Sequence, residues 1–556
     1  MMRFRVASTT CKSLAALAAL ALVMLPASAA APKRPNILLI IGDDIGVDVT
    51  SDMYPGLIDA LVKQYGPQGH NHPQYQQIKG RPASTPTLNA LAQAGMSFSQ
   101  AWVQPFCANT RTSLLTGLYP AHTGVIDYNG WLGQQHHSFV RDLKEKGGYA
   151  TAVFGKYHIA GLVATGTSSA KPYPGMKAKE AGFDLFKGNM NGGVNTYWDW
   201  EYHIQDATTP PDQFRTEKAP TRSIPGVAAT SYAPVVNVAD TLDFINEQES
   251  KHPDKPWFVW LAFNLSHITG KQQPNPMAVP NIDTLDEPSR KEMQACGGTF
   301  GSANVGTCTD KQLMRAMTNS LDTLIAKVLQ RVDADPNTYV IYLGDNGTWM
   351  FGKGREFIDN MYITRVGRSK GTAYESGARV EMAIRGPRIK AGSRTDVAVN
   401  GVDLFSTILD LAGLPIPKTV PDRNGVPVQP DGLSLTPLLF KGAKQLRDPV
   451  KDFQLTETMN PVRQNMLQVA ARNQRYKVLC SNDAAPEHCE FYDLVDDPIE
   501  EYPLPRPASC DGYQTGMKTA AAQWSYCHLH EVIAKQSILS QSRPPASPAP
   551  PARAPD

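Results

Sequence analysis

The sequence predicts an α/β protein: a mainly parallel central sheet flanked by helices, then a smaller C-terminal subdomain containing an antiparallel sheet. Three observations predict it. Four short, unbroken apolar runs, at 36–41 (NILLII), 150–154 (ATAVF), 257–263 (WFVWLAF) and 338–343 (TYVIYL), suit strands buried on both faces. Helical patterns lie between them, as in parallel strands joined by helical crossovers. From about residue 440 the pattern changes, and 468–471, 476–480 and 489–494 read as short strands of a second sheet.

Taken in order, the chain opens with a secretory signal. Arg3, Arg5 and Lys12 precede an apolar run at 14–25, and small residues at 27–29 form a cleavage site. The run is too short to span a bilayer, and no later stretch qualifies, so no stable membrane insertion is expected. The strand at 36–41 is followed by helical patterns at 87–94, 109–118 and 139–146, the strand at 150–154, and a helix at 238–249. The strand at 257–263, a helix at 310–332, the strand at 338–343 and a helix at 402–411 complete the series. Two intervals, 54–84 and 160–235, are rich in Pro, Gly and polar residues and read as long loops. The expected division is a signal (1–30), an α/β domain (33–440), a C-terminal subdomain (441–535) and a disordered Pro/Ala-rich tail (542–556).

Composition narrows the function. With 42% apolar residues, 19% charged residues and a net charge of +2 without a basic block, the chain is an ordinary globular protein with no nucleic-acid footprint. Of eight cysteines, Cys11 leaves with the signal and seven remain, so at least one is unpaired. Six fall into local couples, and 296–308, 480–489 and 510–527 is the simplest pairing; Cys107 stands apart. Signal and cysteines together place the protein outside the cytoplasm, periplasmic or secreted.

In open α/β sheets, ligands bind beyond the carboxyl ends of the strands. Those ends carry Asp43 and Asp44, Lys156 and His158, His267, then Asp345 and Asn346, and the helix beginning near Cys107 aims its N-terminus at the same rim. Three carboxylates and an amide oxygen suit Ca2+ or Mg2+ rather than zinc. Lys156, His158, His267 and Arg111 add positive charge and proton donors, a set suited to a sulfate or phosphate ester. Singly, each has a plainer reading. A strand-end Asp caps turns, a lone His is more often structural, and Asn264 and Asn346 each begin a glycosylation sequon. Cys107 itself is open to three readings: a structural thiol, a thiolate nucleophile, or the precursor of another group.

In these segments the chain resembles the sulfatases of the alkaline phosphatase superfamily, over about residues 35–440. The motifs are PNILLIIGDDIG, PTLNALAQAGMSFSQAWVQPFCANTRTSLLTGLYPAHTGV, GKYHIAG, FNLSH, YLGDNGT and SKGTAYESGARVEMAIRGP, in that order. The resemblance implies that a modifying enzyme, the formylglycine-generating enzyme, oxidises Cys107 to formylglycine. Its hydrate would attack the sulfur of a sulfate ester, and its second oxygen would collapse to expel sulfate. It further implies that Asp43, Asp44, Asp345, Asn346 and the modified Cys107 hold a divalent cation, Ca2+ before Mg2+. Arg111 would stabilise the hydrate, Lys156 and His158 would position hydrate and sulfate, and His267 and Lys370 would bind sulfate oxygens and help the alcohol leave.

Two positions depart from the family: Asn109 stands where Pro or Ala is usual, and Ser266 where Pro is common. The alternatives are a phosphonate or phosphodiester hydrolase of the same superfamily, against which Asn346 speaks, and an anion binder with unconverted Cys107. The substrate alcohol and oligomeric state are not legible. The aromatic cluster at 195–203 (NTYWDWEYH) reads either as a sugar platform or as packed core.

Overall fold

The structure is a computed structural model describing residues 33–79, 81–161, 173–270, 276–349, 367–513 and 521–541; the expected signal and tail fall outside these. In chain order the strands of the large sheet are β1 (Asn36–Gly42), β2 (Met96–Phe98), β3 (Ala150–Lys156), β4 (Leu185–Asn189) and β5 (Glu201–Gln205). They continue with β6 (Arg215–Lys218), β7 (Trp257–Ala262), β8 (Thr338–Gly344), β9 (Met382–Arg385) and β10 (Ser393–Thr395). Their order across the ten-stranded sheet is β10-β2-β9-β8-β1-β7-β3-β4-β5-β6. The five central strands β8, β1, β7, β3 and β4 are mutually parallel. Strands β9, β5 and β6 pair antiparallel toward the edges.

β1 shows why the centre is parallel. All seven of its residues are buried, and successive side chains enter opposite cores. Leu38 and Ile40 join one core with helices Ala233–Lys251 and Asp310–Val332, while Ile37, Leu39 and Ile41 join the other with Cys107–Thr116, Phe139–Glu145 and Asp403–Leu411. A strand covered on both faces favours an unbroken apolar run, which β1 carries at 37–41, with Asn36 at its start satisfied by hydrogen bonds to Asp335 and the Trp257 amide.

Two loop expectations are corrected. The interval 160–235 holds β4, β5, β6 and a hairpin of Arg222–Ile224 with Val227–Thr230, and the interval 54–84 holds helix Leu57–Tyr65. Of the two readings of the aromatic cluster, packed core is the one observed: Tyr197, Trp200 and Tyr202 are buried, and the Trp200 indole donates to the Ser231 carbonyl.

The second sheet is antiparallel throughout, β11 (Gln454–Asn460), β12 (Met466–Arg472), β13 (Tyr476–Ser481) and β14 (Cys489–Asp493) in sequence order. Helix Ala521–Gln536, which the sequence reading did not anticipate, covers one face, its Tyr526, Leu529, Val532 and Ile533 against Val469 and Val478. Disulfides join Cys296–Cys308, Cys480–Cys489 and Cys510–Cys527, and Cys107 is free and buried. Among the described residues no helix is long and apolar enough to cross a membrane.

Candidate active site

Strand register builds the site. Gly42 pairs with Gly344, Ile41 with Ala262, and Ala262 with Gly155, so four parallel strands end at one level. The residues just beyond stay hydrogen-bonded: the Asp345 amide donates to the Gly42 carbonyl at 3.0 Å and the Asp43 amide to the Leu265 carbonyl at 2.8 Å. Asp43, Asp44, Asp345 and Asn346 are thereby gathered with no solvent exposure. Asp44 and His158 adopt left-handed backbone (φ 58° and 50°), which non-glycine residues adopt mainly where surrounding structure imposes it.

Each acid has its own cation. Lys156 Nζ lies 2.7 Å from Asp43 Oδ2, the Arg111 guanidinium donates to Asp345 Oδ2 from Nε at 3.1 Å and Nη2 at 2.8 Å, and Lys370 pairs with Asp44 Oδ1. The Asn346 amide donates to Asp44 Oδ1 at 2.8 Å. Burial pushes the Asp43 carboxyl well above the ordinary carboxylate value despite Lys156. Burial also acts to raise Asp44, but Lys370, His267 and Lys156 together hold it well below.

Cys107 is the first residue of its helix rather than lying ahead of it, and the N-cap, Phe106, makes no side-chain capping bond. The helix's free amides and its dipole are therefore left to the site. Cys107 Sγ stands 3.1 Å from His158 Nδ1, and His158 Nε2 stands 2.8 Å from the Tyr128 carbonyl oxygen. A carbonyl only accepts, so Nε2 carries the proton and Nδ1 presents its lone pair to residue 107. Burial, then the charges of Lys156 and Arg111, hold His158 well below the usual imidazole value. His267 is lowered for the same reasons, by burial and then Lys156 and Lys370; its Nε2 is 3.8 Å from Asp44 Oδ2.

The structure thus gathers the predicted residues on one rim. Sequence reasoning missed their immediate neighbours. Tyr128 acts through its backbone carbonyl, which leaves no signature in the sequence. Gly192 lies against His158, where a Cβ would fall 2.6 Å from the ring, and Gly193 lies beside His267; the GG pair was the available signal. Asn109 is buried and donates to the Glu457 carbonyl at 3.2 Å, tying the Cys107 helix to β11. The sequon residues Asn264 and Asn346 are buried, which leaves no room for a glycan.

The donor set fits a hard cation. Asp43 Oδ1, Asp44 Oδ2 and Asn346 Oδ1 are buried and accept no hydrogen bond among the described residues. Cys107 Sγ and one oxygen each of Asp43 and Asp345 lie within 4.8 Å of one another. Unpaired buried oxygens are costly unless something binds them, and oxygen donors of this kind suit Ca2+ or Mg2+.

Comparison with known proteins agrees with this geometry. The chain is 26% identical over 448 residues to N-acetylgalactosamine-6-sulfatase of Canis lupus familiaris, covering 76% of this chain and 68% of that one. It is 25% identical over 402 residues to N-acetylglucosamine-6-sulfatase of Bos taurus, covering 65% and 60%. A sulfatase structure from Pseudoalteromonas sp. superposes with a TM-score of 0.53 at 19% identity, covering 87% and 88%. A structure solved with its substrate D-glucosamine-2-N,6-O-disulfate gives 0.54 at 18% identity, covering 84% and 92%; at these identities the likeness is one of fold. Residues 35–414 match the family model for sulfatases, and the chain belongs to the sulfatase family of sulfuric ester hydrolases.

Proposed function

We propose that the protein hydrolyses a sulfate ester to an alcohol and inorganic sulfate, with Cys107 matured to formylglycine and a divalent cation, Ca2+ or Mg2+, held by Asp43, Asp44, Asp345, Asn346 and the side chain at 107. The observation that carries this reading is the set of three orphaned oxygens beside Cys107, enclosed by Lys156, Lys370 and Arg111. A bound cation supplies Lewis-acid charge for the anion and lowers the proton affinity of a neighbouring hydroxyl. Formylglycine supplies, as its hydrate, a nucleophilic oxygen and a second oxygen whose collapse frees sulfate.

The chain's own groups do the rest. His158, neutral and with Nδ1 turned to residue 107 at 3.1 Å, accepts a proton from a hydroxyl there. Arg111 and Lys156 hold the hydrate and the acids that surround it. Lys370 and His267, both facing Asp44, bind sulfate oxygens and stabilise the departing alcohol. The relatives' names make carbohydrate sulfates the first substrates to assay. The three disulfides and the signal-like N-terminus support export, with maturation by a formylglycine-generating enzyme.

The test pairs an aryl sulfate with an aryl phosphate diester, using protein co-expressed with a formylglycine-generating enzyme. Sulfate turnover that exceeds diester turnover and is abolished by Cys107→Ala is expected. Dominant diester turnover would move the protein to the phosphodiesterase branch, and no turnover of either probe or of an N-acetylhexosamine 6-sulfate would make it an anion binder.

A further inference from the structure

Lys370 stands on a segment without regular strand structure, and every strand of the C-terminal sheet grips that segment. From β11, Asn460 Nδ2 donates to the Gly371 carbonyl at 3.0 Å; from β12, Gln468 Oε1 accepts from the Ala373 amide at 3.3 Å. From β13, Lys477 Nζ reaches Glu375 Oε1 at 3.3 Å; from β14, Glu490 Oε2 accepts from the Tyr374 hydroxyl at 2.5 Å. On its other side the segment meets the catalytic layer: the Lys370 amide donates to the Thr348 carbonyl at 3.2 Å, and the Gly371 amide to the Pro105 carbonyl at 2.9 Å. Gly371 has no room for a side chain, since a Cβ would fall 2.6 Å from the Phe106 ring and 2.7 Å from Asn460 Nδ2.

Lys477 is the hub of this grip. Its ammonium is fully buried, lies 2.6 Å from Glu500 Oε1 and sits 4.4 Å from the centre of the Trp102 ring. Glu500 Oε2 in turn accepts from the Glu375 amide at 2.7 Å. A buried cation clasping two carboxylates is a weak source of net stability, but it fixes geometry, because any displacement leaves a buried charge unpaired. A lysine side chain has four rotatable bonds, so where its ammonium stands depends on how firmly its backbone is held.

We infer that Gln468 and Lys477 are positioning residues for Lys370, so that the C-terminal sheet sets the sulfate-binding cation without touching the anion. The inference rests on the proposed role of Lys370 in binding sulfate. The test titrates inorganic sulfate calorimetrically into Ca2+-loaded protein and measures KM for an aryl sulfate. It uses Lys370→Met, Lys477→Met, Lys477→Arg, Gln468→Met and the double variant Gln468→Met/Lys370→Met. Gln468→Met conserves volume and carries the test should Lys477→Met fail to fold. Gln468→Met is expected to weaken sulfate binding about fivefold, the worth of one net hydrogen bond, with KM rising in step. It should do nothing further once Lys370 is Met, and Lys477→Arg should retain most of the affinity that Lys477→Met loses. An equal loss in both Lys370 backgrounds, or none in either, overturns the inference alone. Unchanged sulfate affinity in Lys370→Met overturns the role of Lys370, and the inference with it.

Discussion

Arg111→Met tests the charge balance of the site. The Arg111 guanidinium has no solvent exposure and holds Asp345 Oδ2 at 2.8 Å and 3.1 Å and the Lys156 carbonyl at 2.5 Å. At that separation and an effective dielectric of about 20 the attraction is roughly 6 kcal/mol, and deleting one partner of a buried pair costs ~3–5 kcal/mol because the other charge is stranded. Methionine fills much of the arginine stem's volume, so the loss is electrostatic rather than a cavity. Unfolding followed by tryptophan fluorescence in chelator, where no cation compensates Asp345, should show this loss. Arg111→Met/Asp345→Asn, which removes the stranded charge, should recover most of it. Activity of the single variant should fall ~10²–10³-fold, the usual cost of one well-placed donor, and the double variant should not regain it. An Arg111→Met protein with parental stability and more than a tenth of parental kcat/KM would show that this charge pair supports neither the fold nor turnover.

Gly192→Ala places a Cβ 2.6 Å from His158 Cε1 and 2.7 Å from Nε2, so the ring must leave its bond to Tyr128; kcat/KM should drop ~10²-fold with an unchanged circular dichroism spectrum. Glu457 is fully buried, accepts from the Ala121 and Ile538 amides, and burial pushes its carboxyl up to about 7. Because an unfolded Glu titrates near ~4.3, the parent loses stability from this group as pH rises from about 4.5 to 7. The stability difference between Glu457→Gln and the parent should therefore grow in favour of the variant across that window, by up to ~3 kcal/mol; a difference independent of pH contradicts it. Chelation should abolish turnover, Ca2+ or Mg2+ should restore it, and Asn346→Ala should raise the cation concentration required; turnover indifferent to chelator would remove the cation from the account.

What the sequence disclosed and what it hid have physical causes. β1, β3, β7 and β8 were legible because their middles, buried on both faces, are continuous apolar runs, and the ends of those runs marked Asp43, Lys156, His267 and Asp345 directly. β6 (RTEK) lies on the sheet edge with all four residues exposed, so it carries no apolar run. β11 (QLTETMN) was invisible for the opposite reason. It is buried but polar: the Glu457 backbone amide donates to Gln104 Oε1 and Gln104 Nε2 donates to the Leu455 carbonyl, matching the Cys107 loop bond for bond. Lys370 sits on a segment with no periodicity, and only the family motif located it. The aromatic cluster at 195–203 had a composition that suits a sugar platform or a core alike, and only the structure, which joins Tyr197, Trp200 and Tyr202 to the core beside helix Ala233–Lys251, decides between them, because spacing in a loop does not reveal direction. The roles of the site residues remain the proposal that the experiments address.

Whether residue 107 is a thiol or an aldehyde is read by mass analysis of the peptide spanning residues 105–120, from protein made in its native host. Cys107 is expected to have lost its sulfur and two hydrogens and gained one oxygen, and this aldehyde-bearing fraction is expected to track sulfate release from an aryl or carbohydrate sulfate. A wholly unmodified thiol in material that still releases sulfate, or a complete aldehyde in material that does not, would contradict this expectation.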